Sequence, residues 1–265
     1  MKRIHLFEFE DQSWFPNGLR MLMTRYIVAI HKLLGSSEEL AGLIAKALQH
    51  SKTSKVIDLC SGGGGPLPEV LNILKEKHQL QDVSLTLSDL YPNTEVAATI
   101  NSKNNPEISY LTDPVNAAAI PENLNGVRTM VCSMHHMKPE LAKSILKDAK
   151  DARQPICIFE ISDNSFPPVW MWWLPIPINI ITTFFITFLV RPMTWKQIVF
   201  TYIIPVLPLF IAWDGAVSNS RTYTMEDMDI LLEGLESDDF IWEKGVLKGK
   251  SKKLYLLGLP VNNGG

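Results

Sequence analysis

The sequence predicts an α/β protein: a doubly wound, mostly parallel sheet of seven strands, with an N-terminal helical cap and an apolar helical insertion after strand five. Three observations predict it. Short apolar runs alternate with helical runs from Lys55 to Ile161, which is the pattern of parallel strands joined by crossover helices. The first of these runs, Lys55-Val-Ile-Asp-Leu59, leads into four consecutive glycines, Gly62 to Gly65. After Asp163 the composition changes abruptly, and no charged residue occurs from Asn164 to Val190.

The elements follow in order. A chain of 265 residues suits one large domain, or one domain with an insertion. Leu22, Ile27, Ile30, Leu33 and Leu34 form one helical stripe, and Leu40, Leu43, Ile44 and Leu48 form another. Between them, Gly35-Ser-Ser-Glu-Glu39 stops the first helix and caps the second. Strands are expected at Lys55–Leu59, Val83–Asp89, Ile108–Leu111, Val127–Cys132 and Ile156–Ile161. Helices are expected at Leu67–Lys77, Glu95–Ile100 and Pro139–Ala149. A helix at Glu226–Leu235 and strands at Ile241–Leu247 and Lys253–Leu259 complete the sheet, and the tail Asn262–Gly265 is expected to fray. The chain thus divides into a helical cap (1–50), a ligand-binding core (51–163), the apolar insertion (164–213) and a C-terminal return to the core (214–265).

A net charge of −3 carries no basic footprint, so nucleic acid is not an expected partner. The three cysteines, Cys60, Cys132 and Cys157, form no CxxC pair; they are read as reduced, buried thiols, with neither a disulfide framework nor a zinc site. The N-terminus has no apolar core of a secretory signal, so the expected compartment is the cytosol or the cytosolic face of a membrane.

The glycine loop carries the strongest signal. Without Cβ atoms a ligand can approach the backbone closely, and the following helix N-terminus favours negative charge. Two common phosphate loops are excluded. The dinucleotide fingerprint G-x-G-x-x-G would need a third glycine where Leu67 or Pro68 stands, and no Gly-Lys-Ser/Thr follows for a P-loop. What remains is an acid, Asp58, at the end of the first strand, and a second acid, Asp89, at the end of the next. In open α/β sheets ligands bind at the carboxyl ends of the strands, and a carboxylate there is matched to the two hydroxyls of a ribose.

Asp58-Leu-Cys-Ser-Gly-Gly-Gly64 resembles the first motif of the class I (Rossmann-like) S-adenosylmethionine-dependent methyltransferases, with Cys60 in place of the usual first glycine. The resemblance covers residues 50 to 163 well and 214 to 260 loosely. It implies S-adenosyl-L-methionine as cofactor, contacted by Asp58, Cys60, Ser61, Gly62 and Gly64, with Asp89 and Leu90 at the ribose. It places Asn116 and Ala117 at the adenine, where the family has an acid; Asp113 is the fallback. Cys132-Ser-Met-His-His-Met137 resembles the segment that faces cofactor and substrate, with Ser133 on the cofactor side.

Methyl transfer from a sulfonium asks mainly for alignment, and for a base only where the acceptor holds its proton. His135 and His136 are the candidate bases; neither i,i+4 nor CxxC spacing supports a metal. Glu10, Trp14, Phe15 and Arg20, before and at the start of the first helix, are candidate acceptor contacts, as are Asp214, Arg221 and Tyr223 after the insertion. The uncharged run from Asn164 exceeds the ~20 residues that span a bilayer, but Pro175, Pro177, Pro205 and Pro208 interrupt it. A helical pair lying in one leaflet is therefore expected, with Trp170, Trp172, Trp173, Trp195 and Trp213 near the headgroups. The leading expectation is a membrane-associated methyltransferase for a hydrophobic or lipid-like acceptor. A soluble small-molecule enzyme with the insertion as lid or dimer interface, and a non-catalytic cofactor-binding module, are the alternatives.

Overall fold

The computed structural model describes residues 1–162, 164 and 166–261; the boundary residue Asp163 and the tail Asn262–Gly265 lie outside them. Runs rich in valine, isoleucine and leucine form β1 (Lys55–Asp58), β2 (Ser84–Leu87), β3 (Ile108–Tyr110), β4 (Val127–Val131) and β5 (Ile156–Glu160). A long hairpin, β6 (Phe240–Lys248) and β7 (Lys252–Pro260), ends the fold. All seven make one sheet in the order β3-β2-β1-β4-β5-β7-β6. β1 to β5 pair in parallel, whereas β7 runs antiparallel to β5, with Cys157 opposite Leu257. Every residue of β5 is buried, as expected of a strand covered on both faces.

One face carries α2 (Ser36–Ser51), α3 (Leu67–Glu76) and α4 (Thr94–Asn101), whose Leu40, Ile44, Leu71 and Ala97 meet Val56, Leu85 and Phe159. The other carries α5 (Pro139–Asp151) and α9 (Met225–Leu232), packed through Ile145, Leu146 and Leu231 onto Ile57 and Ile158. Gly35 separates α1 (Asn17–Leu34) from α2 at φ 66°, a left-handed conformation that glycine adopts at little cost.

The insertion folds as α6 (Pro175–Ile186), the single turn α7 (Trp195–Ile198) running into a π-helical turn, and α8 (Val206–Arg221). A third core joins it to the cap: Phe15, Leu22 and Tyr26 pack on Val190, Leu207 and Ile211. α8 crosses residue 213 without a break, so the insertion and the C-terminal return share one helix rather than meeting at 213/214. Among the described residues no single helix is long and apolar enough to cross a membrane; Trp195–Ile203 and Val206–Arg221 pass together by length and composition but are bent by 84°. Trp170, Trp173 and Trp195 are exposed, whereas Trp213 stacks with Trp172, Phe7 and Phe9 and donates its indole N–H to the Phe7 carbonyl.

Candidate cofactor and acceptor cleft

The strand order reverses between β1 and β4, and a cleft of about 1650 Å³ opens there at the carboxyl ends of the strands. Cys60, Ser61, Gly62, Gly63, Asp89, Leu90, Ser133, His135 and His136 line its sheet side, and Glu10, Asp11, Arg20 and Thr24 line its cap side.

The loop after β1 is held from below. Asp58 is buried, and its two carboxylate oxygens accept from Thr129 Oγ1 at 2.7 Å and Ser61 Oγ at 2.6 Å. Burial pushes its carboxyl up to about 7, against the two hydroxyl donors that favour the charged form. Asp58 therefore braces the loop and does not line the cleft; Gly64, facing Leu87 and Ile100, does not line it either. Cys60 and Gly62 sit at φ 59° and 49°. Gly63 is closed on its other side: a Cβ there would come within 2.7 Å of Thr24 Cγ2 on α1. Asp89 Oδ2 accepts from the Gly62 amide at 2.8 Å and Oδ1 from the Tyr91 amide at 2.9 Å. Each oxygen accepts one bond and keeps a lone pair, so the carboxylate that fixes the loop can still take a diol. Nothing lies within 4 Å of where a Cβ of Gly62 would stand, which leaves open space for a ligand against that backbone.

Asn116 and Ala117 do not line the cleft. Asn116 is exposed and its side chain accepts from the Ala118 amide, while Ala117 is buried in the α5 core. Their loop does reach Asp89, since the Val115 amide donates to the Asp89 carbonyl.

After β4 a short 3-10 turn carries His135 and His136, with ring centroids 4.3 Å apart. Glu160, the last residue of β5, takes both the His135 amide (3.2 Å) and its Nδ1 (2.8 Å). His136 Nδ1 lies 3.2 Å from Asp11 Oδ2. Burial and the neighbouring His135 pull the His136 pKa down; the Asp11 hydrogen bond and the Glu8 and Asp11 charges outweigh them and leave it above its ordinary value. Burial opposes ionisation of Asp11 too, yet the same contact and Arg221 bring it down to about 2. The turn is pinned from outside: Arg3 donates to the carbonyls of His135 and Met137 and lies 3.7 Å over the Tyr223 ring, and Tyr223 donates to the Met137 carbonyl.

The remaining candidate contacts separate into two groups. Glu10 and Arg20 line the cleft; Trp14 points outward and Phe15 is core. Asp214, Arg221 and Tyr223 stand behind the wall. Asp214 accepts the Phe9 and Glu10 amides, and Arg221 binds Glu8, Asp11 and the Leu6 carbonyl. Burial raises Glu8 to about 8, partly countered by the His136 and Arg221 charges, and Asp214 to about 7, partly countered by the Phe9 and Glu10 amides. Glu160 escaped the sequence reading, and Glu8 and Asp11 entered it only as members of the acid-and-aromatic segment 8–16. Glu160 had a usable signal, because it ends its strand as Asp89 follows β2; nothing local picks out Glu8 and Asp11 within their segment, since only the fold brings them to residue 136.

No family model and no curated protein sequence matches the chain. Solved structures are similar in fold. A bacterial CtHen1 methyltransferase domain is 12% identical, with 85% of this chain and 99% of that one covered and a TM-score of 0.49. LaPhzM is 14% identical over 86% of this chain and 56% of its own, with a TM-score of 0.48. The mitomycin 7-O-methyltransferase MmcR is 14% identical over 85% and 54%, with a TM-score of 0.47. The chain spans just over half the length of the last two. At these identities, and with TM-scores below 0.5, the likeness says nothing of what this chain acts on.

Proposed function

We propose that the chain is an S-adenosylmethionine-dependent methyltransferase for a hydrophobic or small-molecule acceptor, held at the cytosolic face of a membrane by residues 164–213. One observation carries the cofactor: the glycine loop and the carboxylate after β2 meet at the switch point of the sheet, Gly62 N to Asp89 Oδ2 at 2.8 Å, beside open space. The cofactor, when bound, supplies a methyl already activated by its sulfonium. The chain's own share is positioning: Asp89 takes the ribose hydroxyls, the loop backbone lies against the cofactor, and His135 and His136 meet the acceptor across the cleft. Phe166, Leu174, Pro175 and Ile178 of the insertion line the same cleft, which favours an apolar acceptor. That lining equally supports a second reading, a soluble enzyme whose insertion is a lid.

Calorimetry tests the cofactor. S-adenosylmethionine or its demethylated product should bind and NAD should not; NAD binding with no response to either sulfur nucleoside would end the reading. Asp89→Ala should weaken cofactor binding by about 1.5–3 kcal/mol, the scale of a hydrogen bond to a charged group. Unchanged affinity would remove Asp89 from the ribose.

A further inference from the structure

His135 and His136, which line the cleft, and Glu8, which stands behind it, bring their possible ligand atoms together. Glu8 Oε1 accepts from Arg221 Nη1 at 2.9 Å and Ser218 Oγ at 3.1 Å, while Oε2 is buried with no hydrogen-bond partner. His135 Nε2 is likewise buried and unpartnered. His136 Nε2 lies 3.7 Å from Glu8 Oε2. The ligand atoms of Glu8, His135 and His136 all fall within 4.8 Å of one another. Two orphaned polar atoms of residues 0% and 5% exposed are costly unless something occupies the space between them.

The outer shell has the matching chemistry. Each imidazole presents Nδ1 to a carboxylate, His135 to Glu160 at 2.8 Å and His136 to Asp11 at 3.2 Å. An Nδ1–H held by a carboxylate leaves the Nε2 lone pair free and raises its basicity, which is how metal-binding histidines are set. Arg221 holds the far oxygen of Glu8, so Oε2 stays open. Glu8 and Asp11 share this one guanidinium, which leaves one carboxylate charge in excess there.

We propose that Glu8, His135 and His136 form a two-histidine, one-carboxylate site for a divalent transition-metal ion. Imidazole nitrogen with one carboxylate suits zinc or iron(II), and three protein ligands leave positions for water or an acceptor oxygen. Bonds of ~2.0–2.2 Å place tetrahedral ligand atoms ~3.3–3.6 Å apart, so the cluster closes on an ion with a contraction of at most about 1.5 Å. Both histidines line the cleft, and an ion between them is reachable from it. The Nε2 atoms then hold the ion instead of a proton from the acceptor. The site stands apart from the cofactor assignment, because it is read in metal binding with no nucleoside present.

The test is equilibrium dialysis of the metal-stripped full chain against Co2+, followed by the visible spectrum. One ion per chain with the ligand-field bands of a nitrogen-ligated site is expected, displaced by Zn2+. His135→Gln and His136→Gln should each weaken uptake by roughly 100-fold or more, beyond the roughly 10–100-fold typical of outer-shell changes. Where a variant does not fold, the wild-type spectrum decides alone. Uptake well below one ion per chain, a spectrum without those bands, or equal uptake by a folded histidine variant overturns the proposal.

Discussion

α2 and α6 divide their side chains between core and surface in opposite ways. In α2 the stripe Leu40, Ile44, Leu48 is buried and Glu38 and Lys46 face outward. In α6 the only fully buried residue is Thr183, which bonds to the Asn179 carbonyl and meets Tyr26, and the adjoining Thr187 is also buried. Its large residues face out: Ile178, Ile181 and Phe185 in α6, and Phe188 just after it, recur every three or four positions at 57–69% exposure. Helical periodicity is present in both helices, and it reads inward in one and outward in the other. A contiguous apolar face of this kind marks an interaction surface. The comparison separates a helix finished by its own fold from one whose large apolar side chains stay exposed.

Partition into lipid should show the largest difference. With Ile181, Phe185 and Phe188 changed to Ser, the protein should lose flotation with liposomes, because each such side chain contributes roughly 1.5–3 kcal/mol when fully buried. Each change should shift stability in aqueous buffer by no more than about 0.5 kcal/mol. A wild type that is monodisperse without detergent and never floats would move the face to a lid or a dimer.

Ile44→Ala, in the core under α2, should cost about 2–5 kcal/mol in denaturant unfolding. If the serine changes on α6 cost as much, the outer face is packed in solution and the contrast with α2 fails.

A pH series sharpens the contrast further. His31, at the α1–α2 junction beside Ser36, is lowered by burial to about 4. Its folded pKa lies below the unfolded value, so its contribution is whole above about 6.5 and fades as pH falls toward 4. The melting gap between wild type and His31→Gln should narrow over that window. α6 has no titratable side chain and should contribute nothing there. Parallel melts at every pH would mean that His31 is not held neutral by burial.

The smallest effect is expected at Thr187, whose buried hydroxyl has no partner. Thr187→Val should stabilise by about 1 kcal/mol, since it removes an unpaired polar group of similar shape. A loss of that size would reveal a partner for the hydroxyl.

The sheet was legible because its signals are local. The strand and helix runs from Lys55 to Leu259 reappear within a few residues of their expected ends, and the glycine loop stands where the pattern put it. The antiparallel insertion of β7 between β5 and β6 was not legible, since strand order depends on partners far along the chain. The convergence of Glu8 with His135 and His136 was hidden for the same reason. The ring cluster of Trp213 with Phe7, Phe9 and Trp172 was not legible either, because a tryptophan against a bilayer and one against other rings look alike in one dimension.

The pairing of β5 with β7 has a consequence for synthesis. β5 cannot gain its outer neighbour until about a hundred further residues have been made, some 5–20 s at roughly 5–20 residues per second. In that interval the nascent chain carries an open strand edge and the whole apolar insertion at once, the two features that most invite aggregation. The order of residues along the chain therefore leaves the open edge of β5 and the apolar insertion exposed together until the hairpin is made.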